Sequence, residues 1–406
     1  MDFNDTPEEA AFRAEARAWL EANAERPLRP GESKPLPEPR NPEMVRAAQV
    51  WQARKADAGW ACITWPEEYG GRGAGAIQNV IWNQEEARFL SPPNIFVIGQ
   101  GMLGPTIMAH GTDAQKQRYL RPMLRGDEIW SQLFSEPGAG SDLAGLRASA
   151  VREGDDWLLN GQKIWTSGAH YSRFGMVVTR TDPNAAKHAG ITYFIVDLQS
   201  PGIEIRPIKQ INGASAFNEV FFTDVRVPDA NRVGEVDDGW RGAITTLMNE
   251  RAALGAGAAG GPGFRELLRL AAETEIDGRP AIEDAQVRQR LADFYVRQKG
   301  IEYTRYRSLT AISRGTTPGP ENSLGKLVGA RTRQEMAGFA LDLLGPAGLV
   351  QGPWQTSYLA APGARLAGGT DEILRNIIAE RILRLPPESR LDKDVAFKDI
   401  PSGQTK

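Results

Sequence analysis

A chain of 406 residues is too long for one ordinary hydrophobic core and fits two or three cooperating domains. Its net charge of −3, with the signs interspersed, offers nucleic acid no basic field, and one cysteine with three histidines excludes an internal disulfide and leaves no credible metal cluster. The acidic start Met1-Asp2-Phe3-Asn4-Asp5 lacks an apolar core and no apolar stretch reaches membrane-spanning length, so a soluble, untargeted, cytoplasmic chain is expected. Cys62, next to Trp60, reads as a small buried apolar residue.

Thr6-Pro7-Glu8-Glu9 is a capping box with proline at the first helical position, which predicts a helix opening near Pro7 and running to Asn23. Six prolines from Pro27 to Pro42 break it into a loop. Helical periodicity resumes over 42–59. After the turn-rich Pro66-Glu67-Glu68-Tyr69-Gly70-Gly71 it returns over 76–89, 95–110 and 115–125. From Ile129 the period is that of strands: 148–152, 157–165, 175–181, 191–198, 203–208 and 219–227, separated by Gly, Pro, Asn and Asp. Within them Asn160-Gly161 is a strong two-residue hairpin signal, and that hairpin carries Trp165-Thr166-Ser167-Gly168 back toward the preceding loop. Helical patterns over 240–253, 264–273, 283–314, 322–344 and 371–385 close the chain as a bundle. The whole is an α+β protein without an internal repeat.

The loop Leu133–Gly145 packs glycines, hydroxyls and carboxylates into a short stretch. Glycines let N–H groups approach an anion and adopt left-handed conformations, and Ser135 and Ser141 add donors, chemistry that suits a pyrophosphate or the polar edge of a flavin. Taken alone, a loop of this composition is more often a plain turn, and a Trp at a hairpin end more often a core aromatic.

Together, Phe134-Ser135-Glu136-Pro137-Gly138-Ala139-Gly140-Ser141-Asp142 and Asn160-Gly161-Gln162-Lys163-Ile164-Trp165-Thr166-Ser167-Gly168 resemble the flavin-binding fingerprint of the acyl-CoA dehydrogenase family. The resemblance covers almost the whole chain. It implies an N-terminal helical domain over 1–128, a central β domain over 129–234 and a C-terminal helix bundle over 235–406. It implies an FAD-dependent enzyme of lipid metabolism that removes the α-proton and β-hydride of an acyl-CoA thioester, the hydride passing to flavin N5. Electron-transferring flavoprotein would be its acceptor, and a homotetramer or heterotetramer its assembly.

By the same resemblance Phe134, Ser135, Gly140, Ser141, Trp165, Ser167, Thr370 and Glu372 contact the cofactor, and Ser141 and Arg251 the substrate. Thr370 also reads as a helix N-cap, a compatible role. Many members carry the catalytic glutamate just before Gly-Thr, where this chain has Gly368, whose N–H would serve the thioester carbonyl. A minority carry the base on an earlier helix before an arginine, which matches Glu250-Arg251 and makes Glu250 the chosen base. A helical glutamate of this kind also makes surface ion pairs; Asp371 and Glu372 are the competing carboxylates.

The family's Arg-containing dinucleotide motif is not evident, leaving Arg279 as a weak pyrophosphate candidate. The run Gly255–Gly261 suits either close helix packing or room for a bulky acyl group. Two alternatives stand beside the dehydrogenase: an acyl-CoA oxidase or flavin monooxygenase on the same fold, and a noncatalytic partner subunit of a heteromeric dehydrogenase, the latter motivated by Gly368.

Overall fold

The computed structural model describes all residues except 1–3, 30–31, 33–40, 255–260, 314–321, 390–391, 393–394 and 402–406. The helices are α1 (Pro7–Asn23), α2 (Pro42–Asp57), α3 (Ala76–Glu86), α4 (Gly104–His110), α5 (Asp113–Arg125) and α6 (Gly239–Leu254). They continue as α7 (Phe264–Glu273), α8 (Ala285–Ser313), α9 (Asn322–Leu344), α10 (Pro353–Ala364) and α11 (Asp371–Arg381). The strands are β1 (Arg26–Pro27), β2 (Phe89–Leu90), β3 (Trp130–Leu133), β4 (Ser149–Glu153), β5 (Asp156–Ser167) and β6 (Phe174–Arg180). They continue as β7 (Ile191–Asp197), β8 (Ile203–Ile208), β9 (Phe217–Pro228), β10 (Arg232–Val233), β11 (Glu275–Ile276) and β12 (Arg279–Pro280). The order is helices, then sheet, then helices.

The chain folds as two compact units. One, helical, comprises Met1–Leu36, Ala74–Pro92 and Leu254–Pro387. Its α1 begins as the capping box dictates, with Thr6 N donating to the Glu9 carboxylate at 2.8 Å and Glu9 N to Thr6 Oγ1 at 3.2 Å. Phe12, Ala16 and Leu20, four residues apart, are its buried stripe. Glu85 on α3 is buried and takes Arg13 at 3.1 Å and Arg17 at 2.9 Å, fastening α3 to α1. The bundle core gathers Leu267, Phe294, Met336, Ala337, Ala340 and Trp354.

The other unit comprises Pro37–Gly73, Pro93–Ala253 and Glu388–Lys406. Its eight-stranded sheet runs β10-β7-β6-β4-β5-β9-β8, with β3 parallel to β6 off that path. Strands β6 and β7 are buried almost throughout, as strands covered on both faces must be. One core joins the sheet to α4, α5 and α6 through Ile107, Tyr119, Phe134, Tyr193 and Ala243. Cys62 is partly buried against that core, and burial pushes its thiol up to about 12, which keeps it an unreactive thiol.

The largest departure from expectation is Asn160-Gly161, which is no hairpin turn. Strand β5 runs straight through it, because both edges are paired: Asn160 faces Ser149 of β4, and Gly161 faces Phe222 of β9 across a bulge. The Asn160 side chain donates to Asp224 at 3.0 Å and accepts from Asp224 N at 2.9 Å, closing the irregularity. Gly161 is required there: its φ is 141°, and a Cβ would stand 2.7 Å from Ala148. The actual β4–β5 turn is Gly154-Asp155, with Gly154 at φ 66°.

Three helices also differ from their periodicity. The stretch to His110 contains a π-turn over Gly99–Leu103, where Gly104 N–H reaches Gly99 O and Pro105 removes the next donor. A Cβ on Gly104 would meet the Trp65 ring at 2.3 Å. The last helix stops at Arg381, four residues short of the expected end, with Arg384 left-handed at φ 55° ahead of Pro386. Helix α10 has weak amphipathicity and prolines at both ends, so its pattern reads as loop. Most of the run Gly255–Gly261 lies outside the described residues.

Candidate active site

Strand β3 ends at Leu133 and releases the loop to Gly145. Phe134 is buried and meets the Tyr193 ring edge-on, centroids 5.7 Å apart. Ser135 is tied to β5 through its carbonyl, which accepts from Ile164 N at 2.8 Å. Glu136 is the hub of the loop. Its carboxylate accepts from Lys163 Nζ at 2.8 Å, Arg147 N at 2.7 Å and Ala148 N at 2.9 Å, while Lys163 also donates to Phe134 O at 3.0 Å. Lys163 is 0% exposed, and burial lowers its pKa against the opposing pull of Glu136.

Beyond this hub, Gly138, Gly140, Ser141 and Asp142 form an exposed rim. A Cβ on Gly138 or Gly140 would meet no protein atom, and neither takes a positive φ. The left-handed backbone expected of these glycines is therefore not used; what they provide is open space for close approach.

Trp165 is the most conspicuous side chain of the sheet. It is 55% exposed with φ 59°, a conformation costly for a bulky residue. A register shift against β9 between Lys163 and Thr166 produces it, since a bulge turns one side chain out of the alternation. Its ring rests edge-on against Phe217 at 5.9 Å. Replacing it by glycine relieves the left-handed penalty but gives up the Phe217 contact and frees the unfolded chain, so Trp165→Gly is expected to leave folding stability within about 1 kcal/mol of wild type in chemical denaturation while weakening binding of the flavin that the resemblance assigns to this ring. A mutant that loses more stability than this and keeps the flavin contradicts it.

Ser167 ends β5, its carbonyl accepting from Ser131 Oγ at 2.9 Å, and Ser131 Oγ lies 2.7 Å from Ser172 Oγ. Gly168 follows at φ 67°, where a Cβ would fall 2.4 Å from the Tyr171 hydroxyl. Ser131, Tyr171, Ser172 and Asn218 thus support the Trp165–Gly168 turn without having stood out in the sequence. Asn218 donates to Thr166 O at 2.9 Å. Their signal is a contact between distant segments, which no local pattern carries.

Glu250 lies in the last turns of α6, partly buried. The buried residues Ala243 and Thr246 precede it by seven and four positions, so it continues the inward face of the helix. That face is anchored by hydroxyls: Thr246 Oγ1 stands 2.8 Å from Thr106 Oγ1 and 3.1 Å from the Tyr193 hydroxyl. Thr245 Oγ1 lies 2.8 Å from His110 Nε2, and burial lowers the pKa of that imidazole. A line Phe134–Tyr193–Thr246 therefore joins the loop to the helix of Glu250 within one core. The side chain of Arg251 lies outside those described.

Gly368, Thr370 and Glu372 belong to the helical unit. Gly368 and Gly369 are both left-handed, at φ 66° and 95°, and Lys326 Nζ donates to Gly369 O. Thr370 caps α11, accepting from Ile373 N at 3.2 Å. Asp371 is 2% exposed and bonded to Arg365 at 2.7 Å, whereas Glu372 is exposed beside Arg375. Arg279 sits exposed in the β11–β12 pair.

Models of the N-terminal, middle and C-terminal domains of acyl-CoA dehydrogenases match residues 6–127, 131–225 and 237–383. The chain belongs to the acyl-CoA dehydrogenase family. Its members are FAD-dependent oxidoreductases. The chain is 45% identical over 335 residues to a Mycobacterium tuberculosis protein named Acyl-CoA dehydrogenase FadE34, covering 82% of this chain and 46% of that one. It thus spans under half the length of that relative. To Acyl-CoA dehydrogenase IpdE1 of the same organism it is 38% identical over 393 residues, covering 93% of this chain and 98% of IpdE1. Among solved structures, the ChsE4-ChsE5 complex of M. tuberculosis matches at a TM-score of 0.75 and 29% identity, covering 96% of this chain and 100% of that one. A structure titled Tcur3481-Tcur3483 steroid ACAD matches at 0.76 and 28%, with the same coverages.

The residues present fit the acyl-CoA dehydrogenase cofactor. Trp165 offers a flat exposed aromatic face, and the Gly138–Asp142 rim leaves space in which an anionic group can approach backbone N–H groups. Among the described residues no cluster of His, Cys, Asp and Glu is placed to hold a metal, and no helix is long and apolar enough to cross a membrane.

Proposed function

We propose that this chain catalyses α,β-dehydrogenation of an acyl-CoA thioester, a reaction of lipid metabolism, with Glu250 as the base. The observation that carries the reading is the Phe134–Tyr193–Thr246 line, which packs the loop and the face of α6 bearing Glu250 into one core. A carboxylate on a rigid, hydroxyl-anchored helix keeps a fixed position relative to that loop, which proton abstraction concerted with hydride loss demands.

In this reading Phe134, Ser135, Gly140, Ser141, Trp165 and Ser167 hold FAD, with Thr370 and Glu372 contributing to its dinucleotide. FAD, when bound, supplies the two-electron acceptor for the β-hydrogen. Glu250 takes the α-proton, Ser141 touches the CoA arm, Arg251 contributes to substrate binding, and the Gly368 N–H donates to the thioester carbonyl as enolate charge develops. The left-handed φ of Gly368 disfavours a glutamate in that turn, in keeping with a base placed elsewhere. The structural neighbour titled Tcur3481-Tcur3483 steroid ACAD directs the substrate search toward bulky, polycyclic acyl groups. Electron-transferring flavoprotein is the acceptor and a cytoplasmic tetramer the assembly in this proposal.

The test is anaerobic mixing of the purified, FAD-loaded homomer with straight-chain, branched and steroid side-chain acyl-CoAs, followed by flavin absorbance. Bleaching by at least one thioester is expected, with the bulky ones fastest and reoxidation faster by electron-transferring flavoprotein than by oxygen. Bleaching by none sinks the assignment, and rapid peroxide formation makes the enzyme an oxidase. The second reading, a partner subunit within a heteromeric enzyme, is favoured by Gly368 and by the two-component ChsE4-ChsE5 neighbour. Turnover by the homomer eliminates it.

A further inference from the structure

Residues 396–398 pack onto the same sheet unit that carries the loop. Ala396 bridges to Ala186, Phe397 N donates to Ala185 O and Lys398 N to Pro183 O, both at 2.9 Å. Phe397 is buried, and the Arg180 guanidinium stands 3.9 Å above the centre of its ring. Arg180 in turn donates from Nη2 to Ala144 O and from Nη1 to Ala189 O, each at 2.7 Å. A second cation makes the same connection. Lys187 Nζ lies 2.7 Å from the Asp142 carboxylate and 2.5 Å from that of Asp392.

Two cations on the sheet unit therefore each hold the loop with one contact and the C-terminal segment with another. The contacts on the loop side fall on Asp142, at the end of the rim, and on Ala144 beyond it, and leave Gly138, Gly140 and Ser141 exposed. Arg180 Nε has no hydrogen-bond partner among the described residues; the ring of Phe397 and two carbonyls contact the guanidinium directly, and Glu136, Asp182 and Asp237 act on it through their charge. Burial accordingly pushes the Arg180 pKa down to about 10.

We propose that Phe397 and Asp392 are positioning residues: acting through Arg180 and Lys187, the C-terminal segment holds Asp142–Ala144 in the conformation that receives the diphosphate of the cofactor. The second half rests on the reading of this loop as the FAD-binding one; the coupling of segment and loop does not.

Phe397→Ala, Asp392→Asn and the ring-preserving Phe397→Tyr are compared with wild type by hydrogen exchange on the apoprotein and by fluorescence of released FAD from the holoenzyme. Phe397→Ala is expected to speed exchange selectively over residues 138–145 and FAD release about tenfold, the loss of roughly one cation–π contact. Phe397→Tyr restores both, Asp392→Asn gives a smaller effect of the same kind, and kcat of the FAD-saturated enzyme stays at wild type. Unchanged exchange over 138–145, or a uniform rise across the whole unit, overturns the coupling. Selective loosening with unchanged FAD release overturns the cofactor half alone, and a wild-type chain that takes up no FAD counts against the proposed function instead.

Discussion

A Glu250→Gln enzyme retains its FAD and its affinity for acyl-CoA but bleaches about 10²–10⁴-fold more slowly than wild type under anaerobic mixing, the usual worth of a positioned general base. Glutamine keeps the shape of the side chain and its place on the inward face of α6 four residues beyond Thr246, so the loss reports proton abstraction rather than folding. Glu250→Asp, which withdraws the carboxylate by one methylene, falls between the two. Of the rival carboxylates, Asp371 is buried and engaged by the partly exposed Arg365, and Glu372 is exposed beside Arg375. Asp371→Asn is accordingly expected to lower stability, whereas wild-type bleaching by Glu250→Gln removes Glu250 as base.

The second large effect belongs to Lys163. Lys163→Met leaves Glu136 buried without its counter-ion, and removing one member of a buried pair costs about 3–5 kcal/mol. In a folding unit of this size that is a fall in Tm of roughly 6–20 °C. The paired variant Lys163→Met with Glu136→Gln recovers part of the loss, because glutamine carries no charge and its single amide oxygen can still accept from one of the two donors, Arg147 N or Ala148 N. Calorimetry of the single and double variants checks this. Equal melting temperatures for Lys163→Met and wild type would show that the pair does not hold the loop.

How much of this was legible in the sequence varies with the range of the interaction involved. The opening of α1 at Thr6 and the extents of α7 and α9 follow from capping residues and periodicity within one segment. Asn160-Gly161 shows the limit of that logic. Its local preference for a turn lost to pairing on two edges, with β4 on one side and β9 on the other, neither of which the dipeptide encodes. The π-turn at Gly99–Leu103 and the early end of α11 are likewise settled by what the backbone packs against and by prolines downstream. Within the site, the loop stood out by composition, while its fastening by Glu136 and Lys163, 27 positions apart, did not.

The sequence by itself determined the family, through two short segments whose residue types are rare together, and with it the helix–sheet–helix order. It also singled out Glu250 as a candidate. Only the tertiary structure decided that Trp165 faces outward, because its exposure comes from a bulge against β9 and not from its place in the strand alternation. Only the tertiary structure joined Phe134 to Thr246 through Tyr193, and Ala144 to Phe397 through Arg180. Contacts of that kind depend on which faces of distant elements meet in a packed core, and periodicity within one element reports a face without naming its partner.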